Sequence, residues 1–247
     1  MKGTETIYGV HAVRTILERT PKRVQAVRLA QQRDDPRVRA IEELARRHHT
    51  TVQRLDAHAL KQLVGDVSHQ GVAADITPLA PWTEDALLTA LQSSATPLLL
   101  ALDGVQDPHN LGACLRTADA CGALAVIVPR DRAAQLTPTV RKVAVGAAET
   151  TPVVAVTNLV RTLKLLKQAG VWVVGADAAA PKAAHETDLK GPVVLVLGAE
   201  ASGLRHLTRE NCDFLVKLPQ LGAVESLNVS VAAGMLLYEA VRQRGAA

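Results

Sequence analysis

Aromatic side chains are scarce: Phe, Trp and Tyr together make up 2% of the 247 residues, so stacking of bases on an aromatic platform is excluded as the main mode of recognition. Cysteine is scarce too. Cys114, Cys121 and Cys212 form no Cys-x-x-Cys pair; an odd count without that spacing argues against a disulfide framework, points to a reducing cytoplasm and leaves no metal site to expect. No apolar run approaches the roughly 20 residues that cross a bilayer, and Met1-Lys2-Gly3-Thr4-Glu5 lacks the apolar core of a signal peptide. No membrane association is expected. The glycine-bearing run Gly198-Ala199-Glu200-Ala201-Ser202-Gly203 is not G-x-G-x-x-G, and no P-loop lysine accompanies it, so neither dinucleotide fingerprint nor phosphate-cradling loop is present.

What is present is enough apolar sequence, 48%, to bury a core in one large or two small domains, and two domains fit better. Net charge is +4, but residues 1–76 hold 13 Lys and Arg against 9 Asp and Glu, with 5 of the 8 histidines, whereas the remainder holds 15 against 15. The positive excess therefore lies in the first third, where an anionic partner such as RNA would be held through phosphate and sugar contacts.

That first third reads as a compact α/β unit. Ile7-Tyr8-Gly9 leads into a helix over 10–19, followed by a strand over 24–30, a helix from Pro36 to His48, a strand over 51–55, a short helix over 57–64 and a strand over 71–76. Arg46-Arg47-His48-His49 ends a helix, where the dipole favours cations; RNA contact is the other reading. Thr77-Pro78 and Ser93 to Pro97 break regular structure, which places a linker across 77–96 between a substrate-binding domain, 1–76, and a second domain, 97–247. Its low Gly and Ser content limits the range of separations.

From residue 97 apolar, β-branched runs recur at 98–102, 125–128, 153–156, 171–174, 193–197 and 214–218, with helical stretches between most of them. Strands covered on both faces look like this, so the class is α/β with a parallel, doubly wound sheet. A last helix from about Asn228 to Arg244 aligns Val229, Ala232, Ala233, Leu236 and Ala240 on one face. It should pack on the sheet or on a second subunit. Gly198 and Gly203 stand at the mouth of a loop leaving one of the strands, where backbone can approach a ligand. Leu218-Pro219-Gln220 leaves another and runs toward Ser226-Leu227-Asn228-Val229-Ser230, rich in hydroxyl and amide groups suited to capping or ligand contact. Asn110 sits where a helix N-cap belongs. Arg116 lies among Gly112, Ala113 and Ala120, open either to a phosphate or to an ion pair with Asp119. Glu200 is placed to cap the following helix; Cys114 and Cys121 share a helical face and read as packing.

Three blocks taken together, Asn110-x5-Arg116, Leu197-Gly198-Ala199-Glu200-x2-Gly203, and Leu218-Pro219 with Ser226-Leu227-Asn228-Val229-Ser230-x3-Gly234, resemble the motifs of the SpoU (TrmH-like) RNA 2′-O-ribose methyltransferases over residues 97–247. Ile7 to Val13, Ser68 to Val72 and Glu239 to Arg244 resemble the family branch that methylates a guanosine in the peptidyl transferase region of bacterial 23S rRNA. Ala201 departs from the family's usual Gly. The resemblance implies a parallel-sheet SPOUT domain with a deep trefoil knot, something general topology rules would not suggest. It also implies S-adenosylmethionine as cofactor, touched by Gly198, Leu218 and Leu227, and a catalytic set of Asn110, Arg116, Glu200, Ser226 and Asn228. Further implications are a 23S rRNA substrate and a homodimer in which Arg116 completes the partner's site. Methylation of tRNA or of another rRNA site is the alternative within the family. A non-catalytic rRNA-binding factor and a nucleotide-dependent oxidoreductase are the rivals outside it; the intact polar set weighs against the first and the missing glycine fingerprint against the second.

Overall fold

The computed structural model describes residues 3–245 apart from 66, 68, 79, 80, 201 and 225, so the Ala201 departure and Ser68 lie outside the described residues. Contacts divide the chain into two units: residues 1–80 with 141–150, and residues 81–140 with 151–247.

In the first unit β1 (Glu5–Tyr8), β2 (Val24–Ala30), β3 (Thr51–Leu55) and β4 (Val72–Ile76) form a sheet in the order β1-β4-β2-β3. β4 runs antiparallel to β1 and β2, whereas β2 and β3 are parallel. That parallel pair needs a crossover, and α2 (Pro36–Arg47) supplies it. Its start is set locally: the Asp35 carboxylate accepts from the amides of Arg37 and Val38, with Pro36 at the first helical position. Its apolar face, Val38, Ile41 and Ala45, packs into one core with Ile16 and Leu17 of α1 (Val10–Arg19) and Val27 and Leu29 of β2, each large aliphatic contributing about 1.5–3 kcal/mol by burial. α3 (Ala57–Val64) closes the unit. Residues 141–150 belong here by contact, and an ion network ties them in. Glu149, its side chain 3% exposed, takes Arg23 at 3.0 Å and also Arg141, which reaches Glu5 at 3.1 Å.

The second unit begins with α4 (Glu84–Leu91), which buries Leu87 and Leu91, and Trp82 bridges to Val154. There follow β5 (Leu98–Asp103), α5 (Pro108–Ala120), β6 (Ala125–Pro129), α6 (Pro138–Ala144), which crosses the boundary between the units, β7 (Val153–Val156), α7 (Leu159–Gln168), β8 (Trp172–Ala176), β9 (Lys182–Ala183), β10 (Val193–Gly198), α8 (His206–Glu210), β11 (Phe214–Lys217) and α9 (Val229–Gln243). The sheet order is β7-β6-β5-β10-β8-β11-β9 and every pair is parallel. The parallel sheet expected from the apolar runs is therefore present. β5 and β6 are buried along their whole length, which is why they read as continuous apolar runs and not as alternating ones. β9, two residues long, carries no such signal.

Strand order positions the site. From β5 the chain winds outward to β6 and β7, yet its other neighbour is β10, added later, with Gly198 paired in register to Asp103. The loops after β5 and β10 thus leave side by side where the winding reverses, and crevices at the carboxyl ends of parallel strands form at such points.

Candidate active site

α5 starts earlier than the sequence reading placed it. Asp107 is the N-cap, accepting from the His109 amide at 2.9 Å, with Pro108 in the first turn, so Asn110 is not the cap but lies inside the helix and is buried. Its side chain is thereby free for tertiary bonds: Nδ2 donates to Glu200 Oε1 at 3.2 Å, and Oδ1 accepts from Asn228 Nδ2 at 3.0 Å. Asn228 caps α9, its Oδ1 accepting from the Ser230 amide at 2.9 Å and from Ser230 Oγ at 2.6 Å. Its Nδ2 also donates to Glu200 Oε1 at 2.5 Å, and the Val229 amide reaches the same oxygen at 3.4 Å. Glu200 does cap a helix, but it is α9 and not the following α8, whose N-cap Arg205 makes no side-chain cap bond. One carboxylate oxygen therefore ties together the loop after β10, the first turn of α5 and the start of α9. Charge-assisted bonds of this kind are roughly twice as strong as neutral ones.

Gly198 is required for a reason that is internal to the chain. A Cβ there would lie 1.9 Å from the Gly203 carbonyl carbon and 2.2 Å from the Leu204 amide nitrogen, because Ala199 and Gly203 exchange backbone hydrogen bonds at 2.8 and 3.2 Å and fold the loop back over the strand end. The close approach foreseen for a ligand is made by the loop itself. Leu218 and Leu227 are half-buried, and Ser226 is exposed. Arg116 is exposed on α5 and takes no part in the Glu200 network, while Asp119, its alternative partner, accepts from Thr151 at 3.0 Å.

Cys114 is buried, and its thiol is pushed up to about 12, first by burial and then by the charge of Glu200. Cys212 is likewise pushed up to about 12, mainly by burial, and burial raises Cys121. Thiols held protonated are poor nucleophiles, so packing accounts for them. Among the described residues no group of three His, Cys, Asp or Glu could hold a metal, and no helix is long and apolar enough to cross a membrane. Sequence reasoning missed Asp107 as a cap, although Pro108 directly after it was the signal, and it missed the Val229 amide, for which no local signal exists.

Two family profiles match the chain: the SpoU rRNA Methylase family over residues 97–238, and the RNA 2′-O ribose methyltransferase substrate-binding family over residues 6–82. The chain is similar to 23S rRNA (guanosine-2′-O-)-methyltransferase RlmB of Pseudomonas syringae pv. tomato, 55% identical over all of this chain and 98% of that one. Its counterpart in Pseudomonas aeruginosa is 56% identical over 99% and 98%. Among solved structures it resembles the SpoU methyltransferase AviRb of Streptomyces viridochromogenes in complex with AdoMet, with a TM-score of 0.79, 26% identity, and coverage of 99% of this chain and 92% of that one.

Proposed function

We propose, on the premise that this chain belongs to the SpoU rRNA methylase family, that it transfers a methyl group from S-adenosylmethionine to the ribose 2′-hydroxyl of a guanosine in the peptidyl transferase region of 23S rRNA. The observation that carries this reading is the Glu200 carboxylate bound at once by Asn110, Asn228 and the Val229 amide, since it draws all three motifs to one end of one sheet. The names of the relatives support the substrate, and the setting of rRNA supports a cytoplasmic enzyme. In this reading residues 1–76, with the positive excess, form the RNA-binding domain together with 141–150, the rest of 97–247 forms the methyltransferase domain, and of the joining stretch 77–96 the helix α4 packs into the second unit.

The residues at the carboxyl ends of β10 and β11 fit the cofactor. Gly198 lets Ala199 and Gly203 pair closely over the strand end, Leu218 and Leu227 retain uncovered apolar surface for an adenosine, and Glu200 is the anion that suits a sulfonium cation. When bound, S-adenosylmethionine supplies the methyl electrophile. Holding the 2′-oxygen in line with it can supply much of the rate, and Asn110, Ser226 and Asn228 serve that positioning. A guanidinium is a poor proton acceptor, so in this reading Arg116 clamps a phosphate and stabilises the developing 2′-oxyanion as the hydroxyl proton leaves to solvent.

The active unit in this reading is a homodimer. α9 presents Val231, Met235 and Tyr238 outward at helical spacing, Tyr238 65% exposed, an apolar stripe suited to an isologous contact. α5, which carries Arg116, packs on α9, so a contact through α9 delivers Arg116 to the partner's crevice. Knotting of the chain around β10 belongs to the same proposal. The test combines mapping and mixing. Wild-type protein should place a 2′-O-methyl on one guanosine of a 23S transcript. Arg116→Ala and Glu200→Ala homodimers should each lose at least about 100-fold in activity, and co-refolded heterodimers, holding one intact composite site, should regain it. Verified heterodimers as inactive as their parents would place Arg116 in its own subunit's site.

A further inference from the structure

A second cleft, of about 460 Å3, opens in the second unit at the carboxyl ends of β5, β6 and β7 and is lined by Asp103, Pro129, Arg132, Arg205 and Leu207. Its volume suits a single nucleotide, since small-molecule sites span roughly 300–1,000 Å3. None of the Glu200 network lines it.

Its polar groups are placed unusually. Asp103 has a fully buried side chain, and its Oδ2 accepts from the Arg205 amide at 2.9 Å, while Oδ1, 3.5 Å from Arg205 Nη1, has no hydrogen-bond partner among the described residues. Such an acceptor is costly to bury without a donor. Arg205 itself is only half covered, its side chain 48% exposed. It lies against the main chain at Gly104, where a Cβ would stand 3.0 Å from its Nη2. The guanidinium is thus anchored along one edge, with further donors available. Across the cleft Arg132 adopts a left-handed backbone, φ 54°, a conformation that costs an ordinary residue of order 1 kcal/mol and recurs where a side chain must be aimed. Leu207, 62% exposed, gives an apolar surface beside them. Asp131 is the one other carboxylate on the rim.

We infer that this cleft holds a nucleotide of the RNA substrate other than the one methylated, with its phosphate on Arg205 and Arg132, its base against Leu207, and a ribose hydroxyl or base amino group donating to Asp103. The inference rests on the RNA substrate proposed above. It makes the methyltransferase unit a reader of RNA in its own right, so recognition is not confined to the basic first unit.

Two variants test it. Arg132→Asn removes the cation and tolerates the left-handed backbone; Arg205→Lys keeps a charge over Asp103 but loses the planar fork. For each, KM for a 23S transcript should rise about tenfold with a much smaller change in kcat and unchanged calorimetric affinity for S-adenosylmethionine. Arg132→Asn should also flatten the fall of log K with log salt by about 0.7, the loss of one single-strand phosphate contact. Folded variants with wild-type KM and salt slope, measured beside an active wild type, overturn the cleft alone. A wild type that does not methylate the transcript overturns the functional reading, and the cleft's assignment to RNA with it.

Discussion

The ion pairs of the first unit and the central polar cluster of the second use charge differently. In the first, guanidinium groups are held by carboxylates across and along the elements: Arg28 with Asp75 at 2.6 Å between β2 and β4, Arg54 with Glu42 at 2.7 Å, Arg46 with Glu42 at 2.7 Å, and Arg23 with the buried Glu149 at 3.0 Å. In the second, the central polar cluster is built from two amides and one carboxylate, and Arg116 stands outside it, exposed. Ion pairs that are open to solvent return modest energy each. A site that must orient a neutral hydroxyl gains more from fixed amide dipoles than from mobile charges.

The contrast can be broken hardest at Gly198. Gly198→Ala forces a methyl group into the backbone of Gly203; with no flexible side chain to yield, the loop must move, and overpacking of this kind costs about 3 kcal/mol. We expect a lower denaturation midpoint together with loss of calorimetric S-adenosylmethionine binding. Unchanged values for both would show that the loop does not close over the strand end.

An effect of similar kind but confined to the first unit is expected from Glu149→Ala, which leaves Arg23 and Arg141 facing each other without their shared carboxylate. Breaking a buried pair costs roughly 3–5 kcal/mol, and part of that is recovered here because Arg141 keeps Glu5. Amide exchange should speed in β1 and β2 while affinity for S-adenosylmethionine stays at the wild-type level. A loss of cofactor affinity would mean that the units are not energetically separable.

The smallest change is Arg47→Ala. Arg47 and Glu43 pair one turn apart on α2, both largely exposed, and such pairs are worth about 0.3–0.5 kcal/mol. Chemical denaturation should register no more than that. A cost above about 1 kcal/mol would show that these pairs brace the first unit instead of merely presenting charge.

Much of this was legible in the residues, for identifiable reasons. Runs such as Val193 to Leu197 announce a strand buried on both faces, and Asp35-Pro36 announces a helix start, because those signals are local. β1 was read only as an approach to a helix, since four residues paired to β4, more than sixty positions away, carry little periodicity of their own. Asn110 was displaced from the cap by Asp107, a competition between two good capping residues that Pro108 decides. The bonds of Glu200 to Asn110 and Asn228 span 90 and 28 residues, so the motifs could be listed by resemblance while the hub that joins them could only be seen in the fold.

The ten residues 141–150 are contiguous with the second unit along the chain and belong with the first by contact. The gene's order and the protein's partition therefore disagree. Cutting the reading frame at residue 80 does not yield two intact modules: the leading piece loses Arg141 and Glu149, and Arg23 is left without its carboxylate. The trailing piece keeps the Arg141–Glu149 pair but loses Arg23 and Glu5, which complete the network. A recombinant that swaps the front half for a relative's keeps this ion network only if residues 5, 23, 141 and 149 match.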